Sequence, residues 1–394
     1  MFNLRRKFLL DPSITFLNHG SFGAVPRPVF KAYQRWQREL ERQPVEFLGR
    51  RSPGLLRNAR SALADYLGTQ ADHLVYTTNV TVALNIVAHS LALGPGDEVL
   101  ATDHEYGALD RTWQFLAAER GFHYVKQPIP LPLTNQDAFI ETLWNGVCDH
   151  TRVLFLSHIT SPTALVLPVE EVCARARREG IITIVDGAHA PGQIPLNLDA
   201  LGVDFYGGNL HKWLCAPKGA GFLFARPDVQ ALLKPLVVSW GYEAETPGPS
   251  RFVDYHEMWG TRDIASFLSV PAAIEFQARN NWGQVQAACH ALVRQARDEV
   301  SGLTGQAPIS DDSWFAQMAA ALLPPETDLQ ELKTRLYDEY RIEIPLINWN
   351  GQKLIRISIQ GYNTRRDVDR LIHALQKCLG ELNRGQPGQP TPAR

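Results

Sequence analysis

A short apolar run, Ile181–Val185, delivers Asp186 at its end. Lys212 follows twenty-six residues later, inside Gly207-Gly208-Asn209-Leu210-His211-Lys212-Trp213. The run reads as a strand buried on both faces. Open α/β sheets bind their ligands beyond the carboxyl ends of such strands. A lysine amine there can condense with an aldehyde. An aspartate there can keep a pyridine nitrogen protonated, so that the ring draws electrons from a neighbouring carbon. The pair, set before and within a glycine-rich turn, suits pyridoxal 5'-phosphate.

That cofactor needs an anion site. Tyr76-Thr77-Thr78-Asn79-Val80-Thr81 runs from a strand-like segment into a helical one. The first turn of a helix offers free N–H groups and the positive end of its dipole. Thr78 and Thr81 add hydroxyls, and Asn79 and Val80 add main-chain donors.

The elements that must position these groups alternate. Strand-like stretches at 73–77, 98–101, 122–125, 152–157, 181–185 and 221–225 are interleaved with helical ones at 81–91, 109–120 and 169–180. Such alternation predicts a mainly parallel sheet covered by helices on both faces. After the break at 247–250 the pattern changes. Residues 267–303 read as helical, 316–323 as a strand, 327–340 as a helix, 342–347 and 354–359 as strands, and 364–379 as a last helix. The expected division is a large cofactor domain, 24–258, and a small α+β domain formed by 1–23 with 259–384. The Gly-, Gln- and Pro-rich tail, 385–394, is expected to be disordered.

Composition narrows the function classes. The chain has 394 residues, with 39 basic and 41 acidic side chains. A general nucleic-acid or anionic-membrane binder would show a basic excess. The longest apolar run, Met318–Leu323, is far short of the roughly 20 residues of a membrane span. The start of the chain has no signal-peptide core. Cys148, Cys173, Cys215, Cys289 and Cys378 are never within four residues of one another, so no CxxC metal or redox pattern exists. A cytoplasmic protein with reduced thiols and no metal is expected. No GxxxxGK[ST] loop occurs, and Gly219 and Gly221 are too few for a dinucleotide loop.

Further stretches complete a family resemblance. They are Asn18-His19-Gly20-Ser21-Phe22-Gly23, residues 77–85, Asp103-His104-Glu105-Tyr106-Gly107, Asp186-Gly187-Ala188-His189, 211–219, Trp259-Gly260-Thr261-Arg262-Asp263, and Arg356-Ile357-Ser358 with Tyr362-Asn363-Thr364. Together they resemble the class V aminotransferases, fold-type I pyridoxal-phosphate enzymes, and among them the isopenicillin N epimerase branch. The resemblance implies that Lys212 carries the cofactor as a Schiff base and works at Cα, with Asp186 on the ring nitrogen. It places His189 near the phenolic oxygen, with Ala188 beside it, and His211 on the phosphate. Asn209 stands where the family usually has a serine, and its amide can still donate to phosphate. Tyr106, or else His104, would stack on the ring, and His158 would lie over the cofactor oxygen or the substrate.

Arg356 would clamp a substrate carboxylate in a two-pronged fork. Asn18, His19 and Gly20 would line the substrate pocket. Thr261 would reach the phosphate in a neighbouring subunit, which implies a homodimer with shared sites. The activity expected is epimerisation of an amino-acid substrate, with His19, His158 or a water they hold as the second base. C–S lysis and transamination are the alternatives. Cysteine desulfurases need a mobile cysteine before the arginine, and residues 341–354 contain none. A pyridoxal-phosphate-binding regulator would carry a DNA-binding module, and no helix-turn-helix precedes this site.

Overall fold

A computed structural model describes residues 4–382. A seven-stranded sheet forms its centre. The strands are β1 (Leu74–Thr77), β2 (Glu98–Thr102), β3 (His123–Gln127), β4 (Thr151–Ser157), β5 (Ile182–Gly187), β6 (Phe205–Asn209) and β7 (Gly221–Ala225), in the spatial order β1-β7-β6-β5-β4-β2-β3. All neighbouring pairs are parallel except the two made by β7. Because β7 is antiparallel to both β6 and β1, the carboxyl end of β1 returns to the same edge as those of β4, β5 and β6. Val153–Leu156 and Ile184–Val185 are buried on both faces, which is why these strands read as apolar runs rather than alternating ones. Each fully buried Val, Leu, Ile or Phe contributes about 1.5–3 kcal/mol before the entropy of ordering it is counted.

Among the helices are α1 (Arg27–Arg42), α2 (Ser52–Leu67), α3 (Val80–Ser90) and α4 (Gly107–Arg120). Helix α3 starts directly beyond β1, where the Asn79 side chain accepts from the Val82 N–H as an N-cap.

A second sheet is antiparallel. Its strands β8 (Met318–Leu322), β9 (Leu346–Trp349) and β10 (Gln352–Ser358) lie in the order β9-β10-β8. The start of the chain joins this part: Thr15–Phe16 pairs in parallel with Ile342–Glu343, and the Ser358 N–H donates to Leu17 O at 3.0 Å.

Two expectations are corrected. Gly207-Gly208-Asn209 is not a turn but the end of the buried strand β6. Its glycines answer close packing: a Cβ on Gly208 would lie 2.3 Å from the Phe222 ring, and one on Gly207 2.8 Å from Val80. The single strand expected at 342–347 is two pieces separated by Ile344-Pro345, since proline has no N–H to give a ladder. The expected disordered tail lies outside the described residues. Among the described residues no helix is long and apolar enough to cross a membrane, and no cluster of His, Cys, Asp or Glu could hold a metal ion.

Candidate active site

The carboxyl edge of the large sheet opens into a cavity of about 280 Å³. Its walls come from every strand end named above. Asn79, Val80 and Thr81 stand at the start of α3, Tyr106 before α4, and Ser157 at the end of β4. Asp186 stands at the end of β5 with Ala188 and His189 just beyond it, and Asn209 ends β6 with His211 and Lys212 beyond it. Ser21, Phe22, Ile159 and Ser161 complete the lining.

Asp186 is buried and accepts from the Ala188 N–H at 2.8 Å. Burial pushes its carboxyl up to about 6, against the pull of that N–H and of Lys212. The Lys212 Nζ lies 3.1 Å from His189 Nε2. Burial, with the charge of Arg356 nearby, brings the amine down to about 7, although Asp186 opposes this. An amine poised there exists largely as the free base at mildly alkaline pH. His189 is held well below its usual range by burial and by the cations Lys212 and Arg356.

The anion end is partly pre-bonded. Asn209 Oδ1 accepts from the Val80 N–H at 2.9 Å, and Asn79 Oδ1 from the Val82 N–H at 3.0 Å. Those bonds leave the Thr81 N–H and hydroxyl as first-turn donors and turn the Asn209 NH2 outward from its own acceptor. Thr78 lies beside this turn and is not part of the lining.

Arg356 projects from β10 and is buried. Its Nη1 donates to Ser161 O at 2.5 Å and to Ser161 Oγ at 3.2 Å, and its Nη2 to Ser21 Oγ at 3.3 Å. Its Nε is buried without a partner. Among the described residues it makes no ion pair. A buried guanidinium with only neutral oxygens around it is costly until an anion arrives. Burial lowers it only to about 10, so it stays charged at neutral pH.

The structure separates the remaining sequence candidates from the cavity. His104 is buried away from it, with Nδ1 on Thr163 Oγ1 (2.8 Å), Nε2 on Ile129 O (3.0 Å) and its ring beside Trp349. Tyr106 alone of that pair is on the lining. His158 bonds the Tyr206 hydroxyl through Nδ1 at 3.0 Å. It stands one residue beyond the end of β4 and is not part of the lining.

His19 is fully buried. Its Nε2 reaches Lys212 O at 3.0 Å and its Nδ1 the Tyr362 hydroxyl at 2.9 Å. It braces the main chain of Lys212 instead of lining the pocket. Gly20 lies against Met318 and Ser358, where a Cβ would approach to 2.7 Å and 3.1 Å. The Asn18 side chain holds Glu343 and Ser21. Thr261 is exposed in a loop away from this cavity. Sequence reasoning missed Ser21, Ser157 and Ser161. Ser157 and Ser161 carry no individual motif; Ser21 follows the Asn18-His19-Gly20 stretch and could have been weighed with it.

The donor set fits pyridoxal 5'-phosphate. It holds a carboxylate at one strand end, a lysine with a depressed pKa at the next, and a helix start with hydroxyls for a phosphate.

Comparison with known proteins agrees. The family "Aminotransferase class-V" matches residues 23–371. The isopenicillin N epimerase of Amycolatopsis lactamdurans is 40% identical, with 95% of this chain and 98% of that protein covered. The isopenicillin N epimerase of Streptomyces clavuligerus is 37% identical, with 96% and 98% covered. A mutant of the protein C-DES, solved with glycine covalently linked to its PLP cofactor, superposes with a TM-score of 0.82. It shares 25% identity, with 95% of this chain and 99% of that one covered.

Proposed function

This chain belongs to the class V aminotransferase family, a pyridoxal 5'-phosphate enzyme of fold type I, and from that premise we propose that it is an isopenicillin N epimerase-like enzyme acting at the α-carbon of an amino acid or amino-acid-containing substrate. The observation that carries the reading is Arg356, buried and without an anion, sharing Ser21 and Ser161 with a cavity that also holds Lys212.

The bound cofactor supplies an electron-withdrawing ring that acidifies the α-hydrogen of an attached amino acid. The protein groups do the rest. Asp186 would hold the ring nitrogen, and the Thr81 and Asn209 donors, with His211 beside them, the phosphate. Tyr106 would cover the ring. Arg356 would fix the substrate carboxylate, so that the α-hydrogen is presented to the Lys212 amine. That amine takes or returns the proton on its face. His19 keeps the lysine main chain from shifting as the side chain moves.

The division into a large domain, 24–258, and a small one formed by 1–23 with 259–384 belongs to this reading. Arg356 comes from the second part and Lys212 from the first, so substrate binding would couple the two.

Thr261, absent from the cavity of its own chain, would serve a partner's. The neighbouring loop supports a homodimer with shared sites: Trp240 is 87% exposed, and Val238 and Met258 are also exposed. Sedimentation should show a dimer that Trp240→Asp weakens; a monomer at all concentrations would remove this part. The odd count of five cysteines fits reduced thiols in a cytoplasm.

Incubation with L- and D-amino acids in deuterium oxide tests the activity. Epimerisation predicts deuterium at Cα together with inversion. Ammonia and pyruvate without inversion would replace this reading with C–S lysis. Conversion of the cofactor to its amine form would replace it with transamination.

A further inference from the structure

Behind the cofactor lysine lies a bond that the reaction does not obviously require. The Trp213 indole N–H donates to His189 Nδ1 at 3.2 Å, and on the other side of the same ring Nε2 meets the Lys212 Nζ at 3.1 Å. Trp213 and His189 are buried, and Lys212 is partly exposed towards the cavity. Both ends of the Trp213–His189 bond are pinned. The Gln277 side chain donates to Trp213 O at 2.9 Å, and the Gln193 side chain to His189 O at 2.8 Å. The His19 ring lies 5.0 Å from the Trp213 ring. On Gly192 a Cβ would come within 2.5 Å of Trp213 O, so main chain packs directly against the main chain of Trp213.

We infer that Trp213 is a positioning residue: its N–H fixes the tautomer of His189 and thereby presents an N–H, not a lone pair, to the Lys212 amine. An indole nitrogen can only donate. His189 Nδ1 must therefore accept, and a neutral imidazole then carries its single hydrogen on Nε2. That hydrogen faces Nζ. A free amine accepts it through its lone pair. An ammonium would place two donors against each other, so the arrangement favours the neutral amine.

The charged and titratable groups around the pair act in the same direction with one exception. Lys212, Arg356, His19 and His211 face His189 and disfavour a second proton on it. Arg356 disfavours the charged lysine, and Asp186 alone favours it. Tryptophan follows the lysine directly in the chain, so the residue that carries the cofactor brings its own orienting donor with it.

The inference rests on Lys212 as the cofactor lysine, and the experiment separates the two. Full-length protein containing 15N-labelled histidine is examined by NMR without cofactor, with His189→Gln used to assign the His189 signals. Wild type should show the Nε2–H tautomer, and Trp213→Phe should shift His189 toward Nδ1–H. In parallel, Lys212 labelling by a small arylating reagent is followed against pH by mass spectrometry. The midpoint should rise by about one pH unit in Trp213→Phe, because Nε2 then accepts from the ammonium.

An Nδ1–H tautomer in wild type overturns the inference. So does a Trp213→Phe protein in which neither tautomer nor midpoint moves. If Trp213→Phe does not fold, the wild-type tautomer decides by itself. Failure of Lys212 to capture added pyridoxal 5'-phosphate would sink the functional reading and leave the tautomer result standing.

Discussion

Two cations stand at one cavity, Lys212 on its lining and Arg356 buried behind Ser21 and Ser161, and the fold treats them in opposite ways. Around Lys212 every partner is built in. His189 meets the amine, His19 holds the main-chain oxygen, and Asp186 stands near enough to affect its charge. Among the described residues, the side-chain hydrogen bonds of Arg356 go to Ser21 and Ser161, with the Nε left unpartnered. Burial disfavours the charge on both. The lysine can respond by losing its proton at about 7, whereas the guanidinium stays charged. The lysine end is therefore complete before substrate arrives and suited to moving a proton. The arginine end is incomplete and suited to binding an anion.

The largest break in that contrast is Lys212→Ala. It removes both the covalent anchor and the proton carrier. Turnover should fall by more than about a thousandfold, and borohydride reduction should no longer attach pyridoxal 5'-phosphate to the chain. Retained covalent attachment at another residue would end the assignment.

Arg356→Met attacks the other end. Losing a buried partner of a carboxylate typically costs 2–5 kcal/mol, so KM should rise by about a hundredfold while cofactor attachment persists. The same change should make the substrate-free protein more stable. A depressed pKa in a base means that its charged form is worse off folded than unfolded. For Arg356 that penalty is present throughout the range below about 10. Replacing an unpaired buried charge with an apolar chain of similar length should raise Tm by about 2–4 °C. A lower Tm would mean that Arg356 is structural in the free protein, and an unchanged KM would take it out of the site.

The same contrast explains how much could be read from sequence. The place of Asp186 and Lys212 on the cavity was legible because one ends its strand and the other follows its strand within a few residues, where local pattern and chemistry coincide. The alternation of strands and helices was legible for the same reason. What reached across the chain was not. The oxygens on Arg356 come from positions 195 and 335 residues away, and nothing in their own surroundings marks Ser161 or Ser21 as its partners.

Three histidines lie off the cavity lining for a different reason. His19, His104 and His158 sit in motif-rich stretches, but their ring nitrogens are taken up by Lys212 O, Tyr362, Thr163, Ile129 O and Tyr206. The β6 glycines looked like a turn because a Cβ-free position demanded by packing has the same letter as one demanded by backbone geometry.

The smallest effect is in pH, and it tests whether the lysine end is as prepared as its partners suggest. Only the free amine can attack the cofactor aldehyde. An amine lowered to about 7 is roughly one-tenth neutral at pH 6 and nine-tenths neutral at pH 8. The rate at which cofactor-free protein captures pyridoxal 5'-phosphate, followed by the visible band that appears, should therefore climb by about tenfold over that interval and then level off. A lysine near its ordinary value would give a rate still rising tenfold per unit well past pH 9. The plateau should also survive Arg356→Met with its midpoint moved up, because removing that neighbouring positive charge relieves part of the pressure on the ammonium. A midpoint that ignored Arg356 would mean that burial alone depresses the amine, and that the two cations, though they share a cavity, do not sense one another.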